Sequence, residues 1–167
     1  MNYGFFRVAA ASLKLKVANP SYNKEEIKKA IDKAVSEDVR LLVTPELSIT
    51  GYTCADLFFT KALQEAADEA LFDIVEYTKG KNIVVIVGMP VSYYSKLYNC
   101  AITISNGKIV KIQQKLNLAN YNEFYEKRWF STVDDDLYIE KYDCQMNSKS
   151  IIDLGDDIFV GIELCED

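Results

Sequence analysis

Six consecutive residues, Ile83-Val84-Val85-Ile86-Val87-Gly88, carry no polar side chain. An amphipathic helix turns a polar face outward every three or four residues, and a half-exposed strand does so every second residue. A short β-branched run with neither period reads as a strand covered on both faces of its sheet. The flanking chain agrees with an α/β fold. Residues 5–11 read as a first strand. Asn23-Lys24-Glu25-Glu26 resembles a capping box, and the helix it opens runs to about Glu37 with Ile27, Ala30, Ile31, Ala34 and Val35 on one face. Residues 39–44 form the next strand, which Pro45 ends. Strand, helix, strand is a βαβ unit, so these two strands should be parallel. A second helix is expected from about Thr60 to Thr78, with Leu63, Ala66, Ala67, Ala70, Leu71, Ile74 and Val75 at helical spacing.

Beyond Gly88 the pattern changes. Residues 97–105 and 108–115 read as a hairpin joined by Asn106-Gly107, the strongest short hairpin signal. Lys115 then opens an aromatic loop that runs to Glu126, of the kind that packs by its own side chains and often serves a function. Residues 131–148 read as mostly loop, with short strand pieces around 137–142. Residues 150–154 form a short strand and 155–157 a turn. A final core-type strand, Ile158-Phe159-Val160-Gly161-Ile162, leads into Cys165. A core strand is an unusual place for a domain to end, so the domain is expected to continue past Asp167. The 167 residues suffice for one domain with a real core.

Composition narrows the chemistry. A net charge of -6 argues against nucleic acid and anionic membrane surfaces as partners. No apolar stretch approaches the ~20 residues that span a bilayer, and Met1-Asn2-Tyr3-Gly4-Phe5 lacks the features of a signal peptide, so a cytoplasmic location is expected. Cys54, Cys100, Cys144 and Cys165 show no Cys-x-x-Cys spacing and are expected to be free thiols. The chain has no histidine, which removes every His-based triad and every His-ligated metal site. A cysteine nucleophile would therefore need a carboxylate or lysine to handle its proton, because an ordinary thiol with a pKa of about 8.5 is only slightly ionised at neutral pH. Three such groups stand at strand ends or loop starts: Glu46, Lys115 and Cys165. Taken alone, each has a bland reading, as solvated loop acid, solvated lysine or small buried hydrophobe. Together they could run acyl transfer, with the carboxylate as base, the thiolate as nucleophile and the ammonium facing the oxyanion.

At these residues the chain resembles the nitrilase (carbon–nitrogen hydrolase) superfamily, and within it the glutaminase domains of glutamine-dependent NAD synthetases. The resemblance rests on residues 45–52 (Pro-Glu-Leu-Ser-Ile-Thr-Gly-Tyr) with the following Thr53-Cys54-Ala55-Asp56-Leu57-Phe58-Phe59, on residues 115–126, and on residues 161–167. Ala119 departs from the pattern, standing where proline is expected.

The resemblance implies an α-β-β-α sandwich, of which this chain holds the first part. It implies that residues 1–167 are a glutamine amidohydrolase domain incomplete at its C-terminal side, with the synthetase domain absent. Glu46 would be the general base, Lys115 the charge stabiliser and Cys165 the nucleophile, with Glu123 as the second glutamate beside them. Tyr52, Tyr121 and Glu166 would hold L-glutamine, and the Glu166 backbone N–H would face the oxyanion. The glutaminase domain needs no cofactor, while ATP and Mg²⁺ belong to the synthetase domain. A half sandwich leaves apolar sheet surface uncovered, so a homo-oligomer, element swapping or origin as the ordered part of a longer polypeptide is expected. Two other readings stay open: a stand-alone amidase or carbamoylase of the same superfamily, and a non-catalytic binding module on the same fold.

Overall fold

The computed structural model describes residues 4–149, 151–155 and 157–167. A seven-stranded mixed sheet runs in the order β1-β2-β3-β4-β5-β7-β6. Its strands are β1 Val8–Ala10, β2 Leu41–Val43, β3 Val84–Tyr93, β4 Lys96–Ser105, β5 Lys108–Gln114, β6 Leu137–Ile139 and β7 Cys144–Asn147. β1, β2 and β3 are parallel, as the βαβ reading requires. β3, β4 and β5 form an antiparallel meander. Its second turn is Asn106-Gly107, where both residues take positive φ.

Helix α1 (Pro20–Ser36) begins three residues before the expected cap. Its N-cap is Asn19, whose side chain accepts from the Tyr22 N–H at 3.0 Å, with Pro20 at the first helical position. Asn23 instead lies buried, and its amide ties the backbone of Lys16 and Ile49 to the helix. Helix α2 (Lys61–Tyr77) starts where the sequence places it, capped by Thr60. Both helices cover one face of the sheet. Ile27, Ile31, Leu71 and Ile74 meet Val85, Val87, Met89 and Val91 of β3 and Cys100, Ile102 and Ile104 of β4 in one core.

A strand alternates its faces, so the residues between these point the other way. Ile86, Gly88, Asn99, Ala101, Gln113 and Lys115 share the helix-free face. There Ile86 and Ala101 pack against Leu164 and Ile162 from the end of the chain. Residues 158–162 are not the core strand the run suggested. Among the described residues β9 (Phe159–Gly161) pairs only with β8 (Ile151–Asp153), as a separate two-stranded ribbon. Ile151 and Phe159 are exposed on it. The expected start of β8 at Ser150 and the turn residue Asp156 lie outside the described residues, as do Met1, Asn2 and Tyr3. Among the described residues no helix is long and apolar enough to cross a membrane.

Candidate active site

Three chain segments meet on the helix-free face. The first is the loop after β2. Thr44 continues the pairing to Ile86, and the Ile49 N–H donates to the Gly88 carbonyl at 3.0 Å. The loop therefore lies flat across β3. It can do so because residue 88 is glycine: a Cβ there would stand 2.3 Å from the Leu47 nitrogen and 2.9 Å from the Glu46 carbonyl carbon. Leu47 takes a positive φ of 53°, which turns the chain immediately after Glu46.

The second segment is the continuation of β5. The Lys115 N–H donates to the Asn99 carbonyl at 2.8 Å, extending the β4–β5 ladder to the first residue of the loop. Lys115 is fully buried, and its Nζ donates to Glu46 Oε1 and to Glu126 Oε1, each at 2.9 Å. Burial works against the ammonium charge, but the bonds to Glu126 and Glu46 outweigh it and hold the Lys115 pKa above the ordinary lysine value.

Glu123 does not take the place the resemblance implied. It is exposed, and the position beside Lys115 belongs to Glu126. The loop turns at 121–124, where the Phe124 N–H reaches the Tyr121 carbonyl and carries Glu123 outward. It closes where the Glu126 N–H meets the Ala119 carbonyl, and Glu126 starts the short helix α3 (Glu126–Trp129) pointing inward. Its Oε2 accepts from the Ala119 N–H at 3.0 Å and its Oε1 also accepts from the Tyr52 hydroxyl at 2.6 Å. The sequence signal was present: Trp129 and Phe130, which pack on buried Phe58, fix the inward face of α3 and hence of Glu126.

The third segment is the turn at the end of the chain. Leu164 is buried, Cys165 is exposed with φ 57°, and the Asp167 N–H closes the turn on the Leu164 carbonyl. A left-handed cysteine costs about 1–2 kcal/mol, and such strain collects at functional turns. This turn is tied to the Lys115 loop. Asp167 Oδ1 accepts from the N–H groups of Leu116 and Asn117 at 2.9 and 2.7 Å, and the Asn117 side-chain amide donates to the Glu166 carbonyl at 2.9 Å.

Tyr52 and Tyr121 complete the surround, with Phe124 between them in edge-on contact with both rings. The Tyr121 hydroxyl donates to the Glu166 carboxylate. Burial, then the bond to Glu126 and the charges of Glu46 and Cys165, push the Tyr52 phenol well above its usual range. The bond to Glu166, then burial, push the Tyr121 phenol up, with Cys165 and Glu123 adding to it. Tyr52 joins Glu126 and Lys115, and Tyr121 joins the turn that carries Cys165, so the two phenols border the same face of the sheet.

The sequence pattern of the carbon-nitrogen hydrolase family matches residues 7–167. The chain belongs to the carbon-nitrogen hydrolase family. It is 31% identical over 133 residues to the glutamine-dependent NAD(+) synthetase of Mycobacterium leprae, an alignment covering 80% of this chain and 20% of that protein. It is 39% identical over 127 residues to the glutamine-dependent NAD(+) synthetase of Oryza sativa subsp. indica, covering 75% of this chain and 17% of that protein. The chain therefore spans about a fifth of the length of these relatives. The crystal structure of a glutamine-dependent NAD(+) synthetase from Cytophaga hutchinsonii superposes with a TM-score of 0.87 at 30% identity, over 97% of this chain and 28% of that one. An amidase from Nesterenkonia sp. shares the fold, with a TM-score of 0.74 at 19% identity, over 96% of this chain and 55% of the amidase. The mixed α/β sheet and its helices are thus those of the nitrilase-superfamily fold. In this carbon-nitrogen hydrolase chain, acid and amine stand just beyond strands of the sheet, and the thiol stands beyond the ribbon on a turn tied to the Lys115 loop.

Proposed function

We propose that this chain is the glutamine-hydrolysing part of a glutamine-dependent NAD⁺ synthetase, with Cys165 as nucleophile and Glu46 as general base. The observation that carries the reading is how hydrogen bonds divide between the two carboxylates on Lys115. Both oxygens of Glu126 are engaged, Oε1 by Lys115 and Tyr52 and Oε2 by the Ala119 N–H. Glu46 receives Lys115 and Asn99 on the same oxygen, Oε1, and among the described residues nothing bonds its Oε2. One acid is structural, and the other keeps an oxygen for chemistry. Lys115 likewise uses two of its three N–H groups on the carboxylates and keeps one.

The reaction follows from these vacant valences. The Cys165 thiol gives its proton to Glu46, and the sulfur attacks the side-chain carboxamide carbon. The third Lys115 N–H and the Glu166 backbone N–H hold the oxyanion. The C–N bond breaks as Glu46 returns the proton to nitrogen, so ammonia leaves and a thioester remains. Water then gives a proton to Glu46, its oxygen attacks the thioester, and the thiol is restored with release of the carboxylic acid. Glutamine is favoured over other amides by the Tyr121–Glu166 pair, because a carboxylate at the rim suits an α-ammonium group. In the synthetase, the ammonia would amidate adenylated deamido-NAD⁺ at a separate site that uses ATP and Mg²⁺.

The test is NAD⁺ formation, driven by L-glutamine or by ammonia, in the full-length protein and its Cys165→Ala variant. The variant should lose glutamine-driven NAD⁺ formation and keep ammonia-driven formation. Equal loss of both would refute the reading. A stand-alone amidase or carbamoylase would instead hydrolyse other amides with glutamine a poor substrate.

A further inference from the structure

Asn99 is the one side chain at the site whose role no motif announces. It lies in β4, fully buried, on the same face as Gly88 and Lys115. Its side-chain Nδ2 donates to Glu46 Oε1 at 2.5 Å, and its main-chain carbonyl accepts the Lys115 N–H at 2.8 Å. The carboxylate can only accept, so the amide orientation is fixed with nitrogen toward Glu46. Its Oδ1 is then left buried without a partner. An orphaned buried acceptor costs about 1–3 kcal/mol, and such costs persist where a function uses the residue.

We propose that Asn99 is a positioning residue that sets which oxygen of Glu46 does the chemistry. With Asn99 and Lys115 both on Oε1, the carboxylate cannot rotate without losing two bonds, and Oε2 is left unbonded among the described residues. The Lys115 N–H is held by the Asn99 main-chain carbonyl, a ladder bond that any residue at 99 would make, so the side chain acts on Glu46 alone. The inference rests on the amide-hydrolase reading above. Leucine or alanine at this place would leave Glu46 held by Lys115 alone and free to turn. Aspartate would set a second carboxylate against the first.

The test compares wild type, Asn99→Ala and Asn99→Asp in the full-length protein. Glutamine hydrolysis and alkylation of Cys165 by chloroacetamide are both followed from about pH 5 to about pH 10. Asn99→Ala should lower kcat about tenfold or more and leave KM within about threefold, since a buried residue behind the base does not touch substrate. Asn99→Asp should move the acid limb of both profiles to higher pH by about one unit, because like charges resist joint ionisation. An Asn99→Ala variant with wild-type kcat, or an Asn99→Asp variant with an unmoved acid limb, overturns the proposal. Should Asn99→Asp fail to fold, the kcat of Asn99→Ala decides alone. If wild type releases no ammonia from glutamine, the functional reading falls, and the alkylation profiles still judge Asn99.

Discussion

Lys115 and Glu126 form an ion pair shielded from solvent, with Nζ 2.9 Å from Oε1 and side chains 0% and 1% exposed. A buried pair is not strong evidence of stability, but breaking one leaves an uncompensated charge. Glu126→Ala leaves Lys115 its bond to Glu46 but strips the Ala119 N–H and the Tyr52 hydroxyl of their acceptor, so it should cost about 1–3 kcal/mol in urea unfolding. Exposed Glu123→Ala should stay within about 0.5 kcal/mol. The contrast separates the two acids of the loop, and equal effects would contradict the placement.

The thiols should differ sharply in reactivity. Cys54, Cys100 and Cys144 are buried, and burial pushes all three thiols up, Cys100 most plainly. Cys165 alone is exposed. With limiting iodoacetamide on the folded protein, peptide mapping should find Cys165 modified about tenfold or more ahead of the others. Labelling spread evenly across the four would argue that Cys165 is not presented for chemistry.

Gly88→Ala tests the crossing of β3 by the Glu46 loop. The new Cβ would meet main-chain atoms of Leu47, Glu46 and Pro45, none of which can swing aside as a side chain does. We expect a folded protein weakened by about 1–3 kcal/mol. Its hydrolysis should fall about a hundredfold, since a displacement of about 1 Å at a reacting group has that effect. Full activity would show that the loop can lift without moving Glu46.

Asp56 should act through Glu126. Arg128 Nε and Nη2 each bond the Asp56 carboxylate at 2.7 Å, and Trp129 Nε1 bonds it at 3.0 Å. This exposed clamp holds α3 to the turn at Ala55–Phe59, and Arg128, then Trp129, keep the Asp56 carboxyl well below its usual range. Exposed pairs add little to stability. Asp56→Asn should thus melt close to wild type while kcat drops severalfold. A drop in melting temperature with unchanged kcat would make the clamp purely structural.

Alkaline pH should expose the Lys115 contribution. Its folded pKa is raised above the unfolded value, so the stabilisation is complete below about pH 10.4 and is lost as pH rises through the higher folded value. The stability difference between wild type and Lys115→Met should be constant from neutral pH to about pH 10 and shrink above it. A difference that shrinks already near neutrality would mean that Lys115 loses its proton early.

Local chemistry made much of the chain legible. Helical spacing and the Thr60 cap located α2, Asn106-Gly107 located the β4–β5 turn, and the apolar run 83–88 marked the central strand. These signals act between residues close in sequence, so the sequence carries them without help. The resemblance supplied Glu46, Lys115 and Cys165, and each stands beyond an element end. Choices among near-equivalent residues needed the tertiary structure. Asn19 displaced Asn23 as cap because the fold claimed Asn23 to tie Lys16 and Ile49. Glu126 displaced Glu123 because a turn at 121–124 reverses which acid faces Lys115. Residues 158–162 have the composition of a core strand, yet of these it is Ile162 that packs on the sheet face, joined by Leu164 beyond them, since β9 pairs with β8 and not with the main sheet. Asn99 and Gly88 carry no local signal at all. Their roles exist only where β3 and β4, about 40 to 55 residues from Glu46 in sequence, are brought against its loop, and a period or cap cannot encode a partner that distant.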